Sequence, residues 1–489
     1  MTDSVSHHDS AADLARATRA REISAVEALD QVLAREKRVN PPLNAVVTLN
    51  VEAARARAEA ADEALAKGEL WGPLHGLPIT LKDTYDVVGL PTVCGDPSLR
   101  GYRPERNAIA TQRLLDAGSI VYGKTNVPRM AQDIQSYNSV FGTSNNPWDT
   151  TRTPGGSSGG AAAAVAAGLT SFELGSDIGG SIRTPAHWCG VYGHKPSWGI
   201  VPLQGHIPGP PGTRSEPDLA VGGPLARSAA DLRLVLDVVA GAGPLERGGW
   251  KLQLPPSRRE KLSDFRVACH LDDSFCPVDQ ATRSRLEGLA RGIEQAGGQV
   301  DYEPALPATL EEQAALYNQL LNAVIGAGVP TKLYKRMRAG AAFYKWTGRG
   351  QSPIGEFLRA ATASHKDWAR AHEQREKLRE GWAHFFERYD VLITPVTPTP
   401  AIPHDQAGTV LSRTIHVDGQ PRPYRDQFLW IAAATTAKLP ATVAPAGRTA
   451  DGLPVGVQII APYLEDHSSI RFAELLAEAG LGGYERPPL

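Results

Sequence analysis

Two glycine-flanked serine clusters leave this chain little freedom in how its middle folds: Gly155-Gly156-Ser157-Ser158-Gly159-Gly160 and Gly175-Ser176-Asp177-Ile178-Gly179-Gly180-Ser181-Ile182-Arg183. Glycine lacks a Cβ, so successive N–H groups in such stretches can turn inward and other backbone segments can approach closely. Between the clusters, Ala161 to Ala167 reads as a helix whose faces are all small, suited to close packing at the centre of the fold. Upstream, the apolar run Leu77-Pro78-Ile79-Thr80-Leu81 ends in Lys82. As a strand, it puts Thr80 and Lys82 on one face and Ile79 and Leu81 on the other.

These residue types point to acyl chemistry. A serine hydroxyl is a weak nucleophile until a base takes its proton, and a tetrahedral acyl intermediate needs N–H donors aimed at its oxygen. Ser181 is the candidate nucleophile, with the N–H groups of Ile178, Gly179, Gly180 and Ser181 as the candidate oxyanion hole. One such donor is typically worth about 2.7 to 4 kcal/mol in the transition state. Lys82 is the candidate base, yet an ordinary lysine titrates at about 10.4 and is almost fully protonated at neutral pH. Burial must bring it to about 7 or 8, at a cost of about 3 to 4.5 kcal/mol in the charged state. A hydroxyl between Lys82 and Ser181 can both donate and accept, and so relay the proton. Asp177 and Arg183 flank the nucleophile with opposite charges and are expected to clamp its loop as a scaffold.

The order Lys82, Ser157, Ser181 and the two embedded motifs resemble the amidase signature family of serine hydrolases, which use a Ser-Ser-Lys triad. The resemblance is specific from Leu74 to Pro196 and looser toward the carboxyl end, through Asp390 to Pro395 and Leu453 to Gln458. It selects Ser157 as the relay, following a cis peptide bond at Gly156-Ser157, and leaves Ser158 to orient Lys82 or the loop. Ser176 stands where the family has Ser or Thr and is expected to support Ser157. Met130, Ala131 and Gln132 would lie on the acyl side of the pocket. The implied fold is α/β, a three-layer α/β/α domain over residues 1–489 with a central mixed sheet and a variable helical insertion near 309–389. The implied reaction is hydrolysis of a C–N amide bond through a serine acyl-enzyme, with no cofactor and no metal; the aromatic residues of the insertion, with Phe428 and Trp430, point to an aryl or otherwise apolar amide, an anilide or a carbamate as substrate. The expected partners are a small amide and water, with no nucleic acid and no membrane, and a homo-oligomer is left open.

Two other readings share the motifs. The same residues resemble the amidase subunit of the tRNA-dependent glutamine amidotransferase, which passes ammonia to a partner. Gly156-Ser157-Ser158-Gly159-Gly160 also satisfies G-x-S-x-G, the nucleophile elbow of α/β-hydrolase esterases, with Ser158 as nucleophile and a late histidine such as His467 as base. An elbow needs a strand running into it, whereas Asp149 to Pro154 is polar and turn-like. Neither cluster is followed by Gly-Lys-Ser/Thr, which argues against a phosphate-binding loop, and His7-His8 is a terminal pair without ligand spacing elsewhere.

Composition fits an ordinary globular enzyme, with 42% hydrophobic and 21% charged residues and a formal net charge of -2. No apolar run is long enough to span a membrane, the amino terminus lacks a leader-like apolar segment, and a cytoplasmic location is expected. Cys94, Cys189, Cys269 and Cys276 form no CxxC pair and read as reduced structural thiols. Helices are expected over 11–39, 51–67, 105–117, 229–240, 279–296, 309–389 and 468–479, and strands over 119–122, 265–269, 390–395, 439–443 and 455–460. The segment 241–256 reads as a linker. Most aromatics of the insertion, Tyr317, Tyr334, Phe343, Tyr344, Trp346 and Phe357, read as core, although they and Phe428 and Trp430 could also line an apolar pocket.

Overall fold

The strands nearest the carboxyl end alternate with a period of two, but both of their faces are apolar. In Pro454–Ile460, Val455, Val457 and Ile459 enter one hydrophobic cluster while Ile460 enters another; Ile393 and Leu392 divide in the same way. A sheet buried on both faces must be covered by helices on both. A computed structural model, which describes residues 10–207 and 209–489, has this arrangement. The pair His7-His8 lies outside the described residues.

An eight-stranded mixed sheet runs in the spatial order Gln299–Asp301, Arg266–Cys269, Val391–Thr394, Pro454–Ile460, Ala441–Arg448, Tyr192–Lys195, Val221–Ala226, Phe172–Asp177. Its first three strands are parallel and the other neighbours antiparallel. Helices Ala229–Val239, Gln280–Gln295 and Asp466–Glu478 cover one face. Helices Gly159–Ala166, Arg183–Cys189, Leu310–Ala327 and His365–Arg388 cover the other.

The expected sheet has a second piece. Val46–Leu49, Ile120–Thr125 and Pro78–Lys82 form a separate three-stranded sheet, with Pro78–Lys82 parallel to Ile120–Thr125. It is joined to the last strand of the large sheet and the residues flanking these strands: the Thr80 N–H donates to Thr170 Oγ1, two residues before Phe172–Asp177, at 3.2 Å, and the hydroxyl of Tyr85, just past Pro78–Lys82, donates to the Gly175 carbonyl at 2.7 Å. This junction brings the end of Pro78–Lys82 beside the second serine cluster. Among the described residues no helix is long and apolar enough to cross a membrane.

Most expected elements form within a few residues of their expected ends, and the helical stretch expected over 309–389 consists of four helices between Leu310 and Arg388. The expected helix over 11–39 is instead two, Ala11–Arg19 and Ala25–Leu43. The chain turns at Arg21 (φ 59°) and restarts with a Ser24/Glu27 capping box, in which each side chain bonds the other's backbone. The segment 241–256 is tethered, with Arg113 donating to the Ala242 carbonyl at 2.6 Å and Leu252 and Leu254 packed on the core. Phe172–Asp177, Tyr192–Lys195 and Val221–Ala226 were not expected as strands, because glycine, proline and polar residues interrupt their apolar pattern. Of the insertion's aromatics, Tyr317 is fully buried, whereas Phe343 is 57% and Trp346 83% exposed, which corrects the expectation that most are core.

The all-small helix works as close packing requires. A Cβ on Gly160 would fall 2.5 Å from Asn126 N, 2.6 Å from Asn126 O and 2.8 Å from Ala45 O, all backbone atoms that cannot rotate away. Gly160→Ala should therefore lower unfolding free energy by about 1–3 kcal/mol, read from denaturant unfolding. An unchanged midpoint would show that these segments separate without cost.

Candidate active site

Lys82 ends its strand with a fully buried side chain. Its Nζ lies 2.8 Å from Ser157 Oγ, 2.8 Å from Ser158 Oγ and 2.9 Å from Ser176 Oγ, and no carboxylate is within ion-pair distance among the described residues. Three hydroxyls satisfy the amine in either state. An ammonium donates three N–H bonds to them; a neutral amine donates two and accepts one O–H on its lone pair. Burial drives the lysine down to about 7, against the upward pull of the nearby acids Asp177 and Glu173. Ser158 contacts Lys82 as expected. Ser176 also contacts Lys82, with no bond to Ser157, which corrects its expected role.

The Gly156-Ser157 peptide bond is cis. Gly156 is packed so closely that a Cβ would lie 2.6 Å from Ile134 C, 2.7 Å from Asp133 O and 2.8 Å from Gln135 N. Ser136, which sequence reasoning missed, knits the loop together: its hydroxyl donates to the Gly155 carbonyl at 3.0 Å and accepts from the Gly159 N–H at 3.1 Å. Nothing in the sequence distinguishes Ser136 from a surface serine. The helix Gly159–Ala166 then follows the loop directly, and no strand runs into the loop: the nearest upstream one is the two-residue Gly142–Thr143. His467 pairs with Asp237 at 3.1 Å, so Ser158 has neither the strand nor the histidine that an elbow requires.

Ser181 is held beside this loop, with the Ser158 N–H donating to its carbonyl at 3.2 Å. Its hydroxyl has no protein hydrogen-bond partner among the described residues, so the structure does not close the expected Ser157–Ser181 link. The proposed oxyanion loop is likewise only partly free. The Gly180 N–H donates to Asp177 Oδ1 at 2.9 Å, which removes it from the expected set. The N–H groups of Ile178, Gly179 and Ser181 bond no protein acceptor among the described residues. The Tyr317 hydroxyl fixes the loop through the Ile178 carbonyl at 3.0 Å. A Cβ on Gly179 would lie 3.2 Å from that hydroxyl and 3.4 Å from the Phe428 ring, so both aromatics border the loop. Trp430 does not border it; its indole donates to the Cys276 carbonyl at 3.1 Å inside another cluster.

Asp177 and Arg183 form the expected clamp, fully buried. Arg183 Nη2 and Nε reach Asp177 Oδ1 and Oδ2 at 2.8 and 3.0 Å. The remaining guanidinium hydrogens go to the Ile431 carbonyl at 3.0 Å, Gln458 Oε1 at 2.7 Å and Thr435 Oγ1 at 2.7 Å, so all five donors are used. Burial alone would raise the Asp177 carboxyl, but the Arg183 charge outweighs it and holds the group at about 2. Met130 and Ala131 occupy a tight turn with φ of 51° and 55° and pack on Cys94, Val127 and Ile207; Gln132 is exposed. No hydrogen bond links these three to Lys82, Ser157 or Ser181.

A family model described as Amidase matches residues 27–469. The chain belongs to the amidase family. It is 35% identical to a glutamyl-tRNA(Gln) amidotransferase subunit from Deinococcus deserti, covering 97% of each chain. Among solved structures it resembles an amidase at 30% identity and a TM-score of 0.76, covering 97% of this chain and 100% of the other. It also resembles the native peptide amidase of Stenotrophomonas maltophilia, at 26% identity and a TM-score of 0.75, covering 98% of each.

Asp177 is ionised in the fold down to a lower pH than in the unfolded chain, so its pairing stabilises above about pH 4 and is lost as pH falls toward 2. Asp177→Asn should cost about 3–5 kcal/mol at pH 7, the range for breaking a buried pair, with the gap from the native protein shrinking as pH drops below 4. Denaturant unfolding at several pH values measures this, and a pH-independent gap would contradict it.

Proposed function

We propose that the protein is an amidohydrolase that cleaves a C–N amide bond through an acyl-enzyme on Ser181, with Ser157 as proton relay and Lys82 as base. The observation that carries this reading is the amine of Lys82, buried among three hydroxyls with no counter-ion among the described residues, a burial that lowers it to about 7. A base so poised is partly neutral at neutral pH and ready to accept a proton. Lys82 takes the Ser157 proton, Ser157 takes that of Ser181, and the Ser181 oxygen attacks the acyl carbon. The unpartnered Ser181 hydroxyl is available for this, and the last link forms when it turns toward Ser157. The free N–H groups of Ile178, Gly179 and Ser181 receive the oxyanion. The relay then runs in reverse to protonate the amine, which leaves poorly without that proton. Water repeats the cycle on the acyl-enzyme. Tyr317 and Phe428 at the loop favour an apolar or aryl amide.

The relatives favour a second reading, an amidase subunit that delivers ammonia within a glutamine amidotransferase. The two separate in a panel of amides with acyl group and amine varied independently. The hydrolase reading expects the chain alone to release amine from aryl amides, while a subunit would be near silent without partners.

Lys82→Ala and Ser181→Ala should each lower kcat by 10³-fold or more, on the order found for removal of triad members. Retained turnover in either removes that residue from the triad. Because the base must be neutral, kcat/KM should fall about tenfold per unit below pH 7 and level off above it. A rate that rises on acidification would exclude a lysine base.

A further inference from the structure

Glu173 is a fully buried acid that the proposed cycle does not use. It sits on Phe172–Asp177, the strand that leads to Ser176 and Asp177. Its carboxyl group bridges three strands: one oxygen accepts from Thr80, two residues before Lys82 on the same face of that strand, and the other from Thr125 at 2.8 Å. No cation lies within ion-pair distance of it among the described residues. Hydroxyl partners alone would suit a neutral amide equally well, so they do not explain an acid here.

Charge balance does. The other ionisable groups around Lys82 and Glu173 are Asp83, Cys94, Lys124, Asp177, His206, Tyr85 and Tyr122. Asp83 is paired with Lys124 at 3.2 Å and Asp177 with Arg183 at 2.8 Å. Burial raises the thiol of Cys94 and the phenols of Tyr85 and Tyr122, and lowers the imidazole of His206 to about 3, so these stay uncharged at neutral pH. That leaves Lys82 and Glu173, one potential cation and one potential anion, without partners of their own. Burial lifts Glu173 to about 8, close to Lys82, so neither group holds a charge independently of the other.

We propose that Glu173 is a positioning residue for the amidase reaction, whose carboxylate supplies the charge that balances the ammonium formed on Lys82 when it takes the Ser157 proton. In that step the Ser157 O–H bond breaks and a third N–H bond forms on Lys82, while Glu173, set in the junction between the sheets, offsets the new buried charge without touching the substrate. Thr80 and Thr125 aim the carboxyl group and offset part of the burial that raises it, and the ammonium on Lys82 favours its ionised form. This rests on the Lys82 base reading and adds to it the source of the base's proton affinity.

The test is the pH profile of Glu173→Gln, which keeps the shape and the acceptor for a threonine hydroxyl but removes the charge. Without the anion the lysine holds its proton less well. The acid limb of kcat/KM should therefore move down by about one pH unit, the smaller end of the effect of one neighbouring opposite charge. The plateau kcat should fall about tenfold with KM unchanged. An acid limb that stays in place, or moves up, overturns the proposal. Should Glu173→Gln not fold, Thr125→Val removes one donor to the carboxylate and should move the limb the same way by a smaller amount; no movement there also overturns it. Lys82→Ala distinguishes the two levels. If it abolishes turnover while Glu173→Gln leaves the limb unmoved, Glu173 has no such role and the base reading stands; if Lys82→Ala stays active, both fall.

Discussion

A lysine amine taken out of water and given only hydroxyls as partners is the interaction on which the rest of this site depends. A buried ammonium with a carboxylate beside it would stay charged, and one without polar partners would not be tolerated at all. Here Ser157, Ser158 and Ser176 satisfy Nζ in both protonation states, so burial can lower its proton affinity without leaving a hydrogen-bonding group unmet. The amidase chemistry proposed for the chain follows from that balance.

Holding three hydroxyls around one nitrogen takes three backbone segments closer together than side chains normally permit. Gly156 lies against the backbone of 133–135, Gly160 against Asn126 and Ala45, and Gly175 brings its strand within 3.0 Å of Ser158 Oγ at the position of a would-be Cβ. The glycines exist for approach rather than for motion. The Asp177–Arg183 clamp then fixes the second segment, and Arg183 carries that anchorage to Ile431, Thr435 and Gln458 on distant parts of the fold.

Of the three acids Asp83, Glu173 and Asp177 around Lys82, two pair with a cation and one does not. Asp83 and Asp177 each face a cation directly, while Glu173 lies in the junction between the two sheets with only threonines to hold it. A polar junction of this kind couples the strand that carries Lys82 to the strand that leads into Ser181. The same coupling explains why the three-stranded sheet, though separate in its backbone ladder, is not free to drift from the larger one.

Beyond the resemblance that singled out Lys82 as base and Ser157 over Ser158, the glycine-flanked serines and the charged residue closing an apolar strand stood out as local signals. So did the Asp177–Arg183 pair and the helices, whose apolar periodicity needs no partner to be seen. The break before Ser24 was missed, because a continuous helical composition masks the Ser24-x-x-Glu27 box that marks it. Strands such as Val221–Ala226 were not legible, since glycines at 222 and 223 are there to clear Tyr85 and His194 from other segments. Nor could sequence show that Asp177 takes the Gly180 N–H, that Ser176 serves Lys82, or that Ser136 and Glu173 belong to the site at all. The chain's order of residues settled which groups were available and which backbone stretches could come close. Which hydrogen bond each group makes, and which amine loses its water, is a matter of segments far apart in the chain meeting, and that is decided by the packing of the two sheets.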